Sequence, residues 1–63
     1  MPIANIQILE GRSAEVKKVL IRSVTDAIAQ ALQAKPESIR VIVQEIPSDH
    51  WGIGGVSAKE LGR

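Results

Sequence analysis

Polar and apolar residues alternate from Ile3 to Leu9, with Ala4, Ile6 and Ile8 on one side of an extended chain and Asn5 and Gln7 on the other. A period of two predicts a β-strand with one buried face. Glu10-Gly11-Arg12 breaks the alternation, and Ser13 is a residue type that caps helix N-termini. Val16 stands where a capping box would carry Glu or Gln. From Ala14 to about Ala34 the apolar residues Val16, Val19, Leu20, Val24, Ala27, Ile28, Ala31 and Leu32 recur at helical spacing. Lys17, Lys18, Arg22, Asp26 and Gln30 fall largely off that stripe. Pro36 closes the predicted helix, because a residue before proline disfavours helical geometry. Ile39 to Ile46 is β-branched almost throughout and predicts a second strand, buried on much of both faces. Pro47-Ser48-Asp49 ends it, and Gly52-Ile53-Gly54-Gly55 suits tight turns with positive φ. Val56 to Leu61 fits either a short strand or a helical turn.

The order strand, long helix, strand predicts an α/β fold, a right-handed βαβ unit with parallel strands and a C-terminal turn or hairpin. A helix of this length spans about 30 Å, enough to run back along a strand of roughly 25 Å. A two-stranded sheet with one helix leaves a face and edges open, so a second chain is expected to complete it. Chain length leads to the same expectation. The chain has 63 residues, read as one domain over residues 1–63, and a domain this short buries little surface alone. Small folds compensate with disulfides, a structural metal or oligomerisation. There is no cysteine, and His50 is the only histidine, whereas structural zinc takes several Cys or His ligands. Oligomerisation remains. Net charge is +1, from 8 basic and 7 acidic residues mixed along the chain. That balance argues against nucleic-acid binding, which needs a basic patch. No apolar run approaches the roughly 20 residues of a membrane span, and Met1-Pro2-Ile3-Ala4-Asn5 lacks the pattern of a signal peptide. A cytoplasmic protein is expected.

Pro2 is the first candidate for chemistry. Removal of Met1 would leave it as a secondary amine fixed at the start of a strand. An α-amine titrates near pH 8 in a model peptide, and burial or a neighbouring cation lowers that value. A base poised near neutrality can move a proton at carbon next to a carbonyl. The competing reading is a Met-Pro start with no catalytic role. Arg12 and Arg40 sit at strand boundaries, and a guanidinium grips a carboxylate through two parallel hydrogen bonds; the competing reading is a pair of ordinary surface arginines. Pro2 and Arg12 lie at opposite ends of one strand, more than about 20 Å apart. If two copies pair their first strands antiparallel about a two-fold axis, the partner's Arg12 arrives near Pro2. Arg40 begins the second strand on the Pro2 side. Trp51 is the sole aromatic residue, suited to walling a pocket or anchoring an interface. His50 reads as a solvent-facing turn residue. The G-x-x-G of Gly52 to Gly55 loosely matches an RNA-clamping loop, and a structural turn is the simpler reading.

Pro2-Ile3-Ala4, Leu9-Glu10-Gly11-Arg12, Arg40-Val41-Ile42 and His50-Trp51-Gly52-Ile53-Gly54-Gly55 together resemble the 4-oxalocrotonate tautomerase family. The resemblance runs over essentially the whole chain. It implies a βαβ subunit assembled as a homohexamer, a trimer of dimers, with Pro2 as general base. It implies that Arg12 binds the distal carboxylate of a small dicarboxylate enol. Arg40 would bind the proximal carboxylate and 2-oxo group and stabilise the developing dienolate. Trp51, where phenylalanine is usual in the family, and Leu9 would wall the site, and neighbouring subunits would supply these partners to Pro2. The implied reaction converts 2-hydroxymuconate to 2-oxo-3-hexenedioate without cofactor or metal. Two alternatives accompany it. Related members of the superfamily hydrate haloacrylates or decarboxylate a semialdehyde; hydration commonly uses a water-activating carboxylate, for which Glu10 and Glu45 are candidates. A non-catalytic oligomeric relative, with Pro2 blocked by retained Met1, is the other.

Overall fold

The computed structural model describes residues 1–63. Strand β1 (Ile3–Leu9) leads to helix α1 (Ala14–Leu32), a 3₁₀ turn (Pro36–Ser38) and strand β2 (Arg40–Ile46). A second 3₁₀ turn (Ser48–His50) and a hairpin of β3 (Gly52–Ile53) and β4 (Val56–Ser57) follow. β1 and β2 pair in parallel, from Ile3 opposite Arg40 to Leu9 opposite Ile46. That register gives the sheet two unlike faces, because alternate residues point to opposite sides. Ala4, Ile6 and Ile8 share one face with Val41, Val43 and Glu45, and α1 covers it. Ile3, Asn5, Gln7 and Leu9 share the other with Arg40, Ile42, Gln44 and Ile46.

Local chemistry explains the helix ends. Ser13 is extended (φ −69°, ψ 161°) and its hydroxyl accepts from the Val16 amide at 3.2 Å. Glu15 adds a negative charge in the first turn, where the helix dipole favours it. The helix ends at Leu32, two residues before the expected Ala34. Gln33 adopts the left-handed conformation (φ 52°), and its amide and that of Ala34 both donate to the Ala29 carbonyl. This is a left-handed cap made without glycine. Lys35 is extended before Pro36, as the proline requires, and Pro36 starts the 3₁₀ turn instead of stopping the helix.

Burial departs from the sequence pattern in one consistent way. Lys17, Leu20, Val24 and Ile28 form the half-buried face of α1, whereas Val16, Val19, Ala27, Ala31 and Leu32 from the expected stripe are exposed. Lys17 was expected off the stripe, but it reaches Glu45 on β2 at 2.6 Å. Strand β2 is not buried on both faces within the chain: Ile42 is 52% exposed, and Ile3, on the same face of β1, is 59% exposed. Only Ile39 and Ala58 are buried outright. The accessible surface is 4761 Å², against about 4,000 Å² for a compact monomer of this mass. The radius of gyration is 14.5 Å, against about 11 Å for a compact domain of this length. These apolar side chains remain largely open to solvent on the single chain.

The C-terminal arm is a hairpin followed by a turn. Gly54 and Gly55 join β3 to β4 with φ of 60° and 88°, a two-residue turn with positive φ at both positions. The arm is tied by Ala58 N–H to the Trp51 carbonyl (2.7 Å) and by Lys59 N–H to the Ser48 carbonyl (3.1 Å). Val56 to Leu61 therefore supplies both a short strand and a following turn. No helix is long and apolar enough to cross a membrane.

Candidate active site

The parallel register puts Pro2 and Arg40 at the same end of the sheet. The Pro2 carbonyl accepts from the Arg40 amide at 3.0 Å, extending the ladder one residue beyond β1. Pro2 itself is half-buried and Met1, in front of it, is exposed. The Arg40 side chain folds back so that Nη1 donates to the carbonyls of Glu37 (2.8 Å) and Ile39 (3.3 Å). Those carbonyls close the first 3₁₀ turn, where a helical end leaves acceptors unpaired. A guanidinium has five donors, so bracing through one nitrogen leaves the others free. No carboxylate pairs with it.

At the opposite end, Leu9 closes β1 half-buried, and the chain turns away at Gly11 with φ 117°. A side chain is strained in that conformation, which ties this position to glycine and directs Arg12 off the strand. Arg12 is exposed and takes no part in the ion pairs of the chain, which join Lys17 to Glu45, Lys18 to Glu15, Arg22 to Asp26 and His50 to Asp49. Trp51 follows the second 3₁₀ turn and, with Gln7, Ile46, His50 and Gly52, lines a shallow hollow of about 280 Å³ on the open face of the sheet. A larger groove of about 600 Å³, between α1 and the first 3₁₀ turn, contains Ile21, Arg22, Pro36 and Ile39 but none of the five candidate residues.

One chain thus carries two partial constellations, Pro2 with Arg40 and Leu9 with Arg12 and Trp51, at opposite ends of a seven-residue sheet. They are separated by about 3.3 Å for each residue of β1, too far to act on one small molecule. His50 is exposed, 4.0 Å from Asp49. The glycine-rich segment is the hairpin turn. Sequence reasoning missed two polar contacts. Gln7 Nε2 donates to Gln44 Oε1 across the open face at 3.3 Å, a pairing that follows only when Ile3 is set opposite Arg40 and not opposite Ile39, where the sequence pattern starts the second strand. Glu10 Oε2 accepts from the Ser48 amide at 3.1 Å, for which the sequence carries no local signal.

A family model described as tautomerase enzyme matches residues 2–61. The chain belongs to the tautomerase family. It is 59% identical over 63 residues, the full length of both, to a 2-hydroxymuconate tautomerase of Stutzerimonas stutzeri. Its structure superposes with a TM-score of 0.95 on a 4-oxalocrotonate tautomerase isozyme from Methylibium petroleiphilum, at 48% identity and covering 98% of this chain and 100% of that one. A heterohexamer 4-oxalocrotonate tautomerase from Chloroflexus aurantiacus gives 0.92 at 43% identity, covering 97% and 98%. The fold expected from the sequence is that of these tautomerases. The chain is accordingly a tautomerase, an isomerase that relocates a proton within its substrate, and hydration, decarboxylation and a purely structural role are not favoured.

Proposed function

We propose that this tautomerase converts 2-hydroxymuconate-type dienols to 2-oxo-3-hexenedioate, with the Pro2 nitrogen, freed by removal of Met1, as general base. The base takes the proton of the 2-hydroxyl group. As the carbonyl forms at C2, the double bonds shift and a proton is delivered to C5, so that one proton leaves oxygen and one arrives on carbon. Arg40 binds the carboxylate and oxygen next to C2 and stabilises the charge that develops there. Arg12 grips the distal carboxylate, and Leu9 and Trp51 wall the site. No metal or cofactor takes part in this scheme. The observation that carries the reading is that both arginines stand at strand ends without an acidic partner, in a chain whose other helix and strand cations are paired.

The site is assembled from more than one copy, in a homohexamer built as a trimer of dimers. Support comes from the distance between the two ends of the sheet, from the open apolar face, and from a relative of matching fold that is a heterohexamer, six subunits of this size in one assembly. The carboxylates considered for water activation are otherwise engaged, Glu10 with the Ser48 amide and Glu45 with Lys17. Intact mass of purified protein, followed by an assay on 2-hydroxymuconate, tests the proposal. The expected mass lacks one methionine and the sample turns over; a free Pro2 with no turnover of this substrate contradicts the reading.

A further inference from the structure

Three side-chain hydrogen bonds join residues far apart in sequence: Gln7 to Gln44, Lys17 to Glu45, and Glu10 to the Ser48 amide. The first two lie within the sheet or between sheet and helix. The third alone connects the body of the fold to the C-terminal arm by a side chain. Glu10 sits between Leu9 and Gly11, on the segment that presents Arg12, and Ser48 opens the 3₁₀ turn that ends at Trp51. The backbone on either side is also engaged. Glu10 N–H donates to the Ile46 carbonyl at 3.0 Å, and the Ser48 carbonyl accepts from Trp51 at 3.5 Å and from Lys59 at 3.1 Å.

The Glu10 carboxylate pairs with no cation. Its hydrogen bond is accepted from an amide that begins a helical turn, where donors lack partners within the turn. A charged acceptor on a backbone donor is stronger than a neutral pair. We infer that Glu10 is a positioning residue: its carboxylate fixes the turn bearing Trp51 against the strand end bearing Leu9 and Arg12, and so sets the width of the substrate-binding wall. This rests on the proposed role of those three residues. It also gives Glu10 a function other than water activation, since Glu10 acts through a hydrogen bond it accepts and takes no proton from substrate.

Two substitutions cut the tie from opposite sides. Glu10→Ala removes the acceptor. Ser48→Pro removes the donor, and the site tolerates proline: Pro47 is extended (φ −58°, ψ 143°), as a residue before proline should be, and the first position of a helical turn accepts proline. The Ser48 hydroxyl makes no hydrogen bond that would be lost. Trp51 is the only tryptophan, so its fluorescence reports the turn without reference to activity. Both variants are expected to shift Trp51 emission to the red, lower its anisotropy, and raise KM for 2-hydroxymuconate about 2- to 10-fold with kcat within about twofold, the size of an ordinary net hydrogen bond, because this contact is solvent-exposed. Glu10→Gln keeps a carbonyl acceptor and restores most of both signals. The double variant is no worse than the worse single one, because both remove one interaction.

Unchanged Trp51 emission in both single variants overturns the inference. So does a loss of kcat in Glu10→Gln equal to that in Glu10→Ala, which would assign Glu10 to proton transfer. Altered emission with unchanged KM keeps the tie but contradicts the proposed wall, which separates the two failures. If Glu10→Ala does not assemble, Ser48→Pro and Glu10→Gln decide the matter by the same readouts.

Discussion

At the Pro2 end of the sheet, position is set by backbone. The Pro2 carbonyl takes the Arg40 amide at 3.0 Å, and the Arg40 guanidinium is braced on two carbonyls of the preceding turn. At the other end, Arg12 follows a glycine with φ 117° and its side chain makes no ion pair, while Trp51 rides on a short turn held by the Glu10 tie. The difference fits the roles proposed for the two ends. Groups that act on charge developing in the transition state must be preorganised, whereas groups that hold the remote part of a substrate contribute binding in ground and transition states alike. Damage at the first end should therefore appear in kcat and damage at the second in KM.

The largest effect is expected from Pro2→Ala. Loss of a general base costs typically 10²–10⁴-fold, so kcat should fall by about that much with the oligomer unchanged by sedimentation. Full turnover would remove Pro2 from the mechanism and leave the first end without a role. Arg40→Ala should lower kcat by about 10²–10³-fold, and Arg40→Lys should recover little because an ammonium lacks the planar fork. A pure KM effect there would erase the contrast between the two ends. Arg12→Ala should raise KM for a dicarboxylate enol by about 10- to 100-fold, the equivalent of one charged hydrogen-bonding contact, while a monocarboxylate enol is hardly affected. Equal losses with both substrates would show that Arg12 does not bind the distal carboxylate. Smallest of all, Lys17→Met should leave kcat and KM unchanged and cost about 0.5 kcal/mol by denaturant unfolding. Lys17 and Glu45 are partly exposed (28% and 35%), and such pairs are screened by solvent. A kinetic change in that variant would mean that the helix contact helps to set the site.

The strand β1, the start of α1 at Ser13 and the parallel order of β1 and β2 were legible because each rests on a local signal: alternation, a capping hydroxyl, and a helix long enough to return along the sheet. The helix end was not, since Gln33 adopts a left-handed conformation that its side chain does not advertise and Pro36 drew attention to itself two residues too late. Val16, Val19, Leu32 and Ile42 show a deeper limit. A hydrophobic pattern records that a residue avoids water but not which chain covers it, and these residues are exposed on the isolated subunit. The separation of Pro2 from Arg12 followed from strand length alone. What the sequence could not indicate was the Glu10–Ser48 contact, which joins residues 38 positions apart and depends on where the arm folds back.

The central claim is that a working site combines the Pro2 end of one subunit with the Arg12 end of another. Pro2→Ala and Arg12→Ala proteins, each severely impaired in kcat/KM, should be unfolded together in equal amounts, reassembled and assayed. With antiparallel pairing about a two-fold axis, half of random pairs are mixed and each mixed pair holds one intact site of two, so about a quarter of wild-type kcat/KM should return. If the mixture stays as impaired as the average of its components while mass spectrometry shows mixed oligomers, Pro2 and Arg12 act within one chain and the shared-site account is wrong.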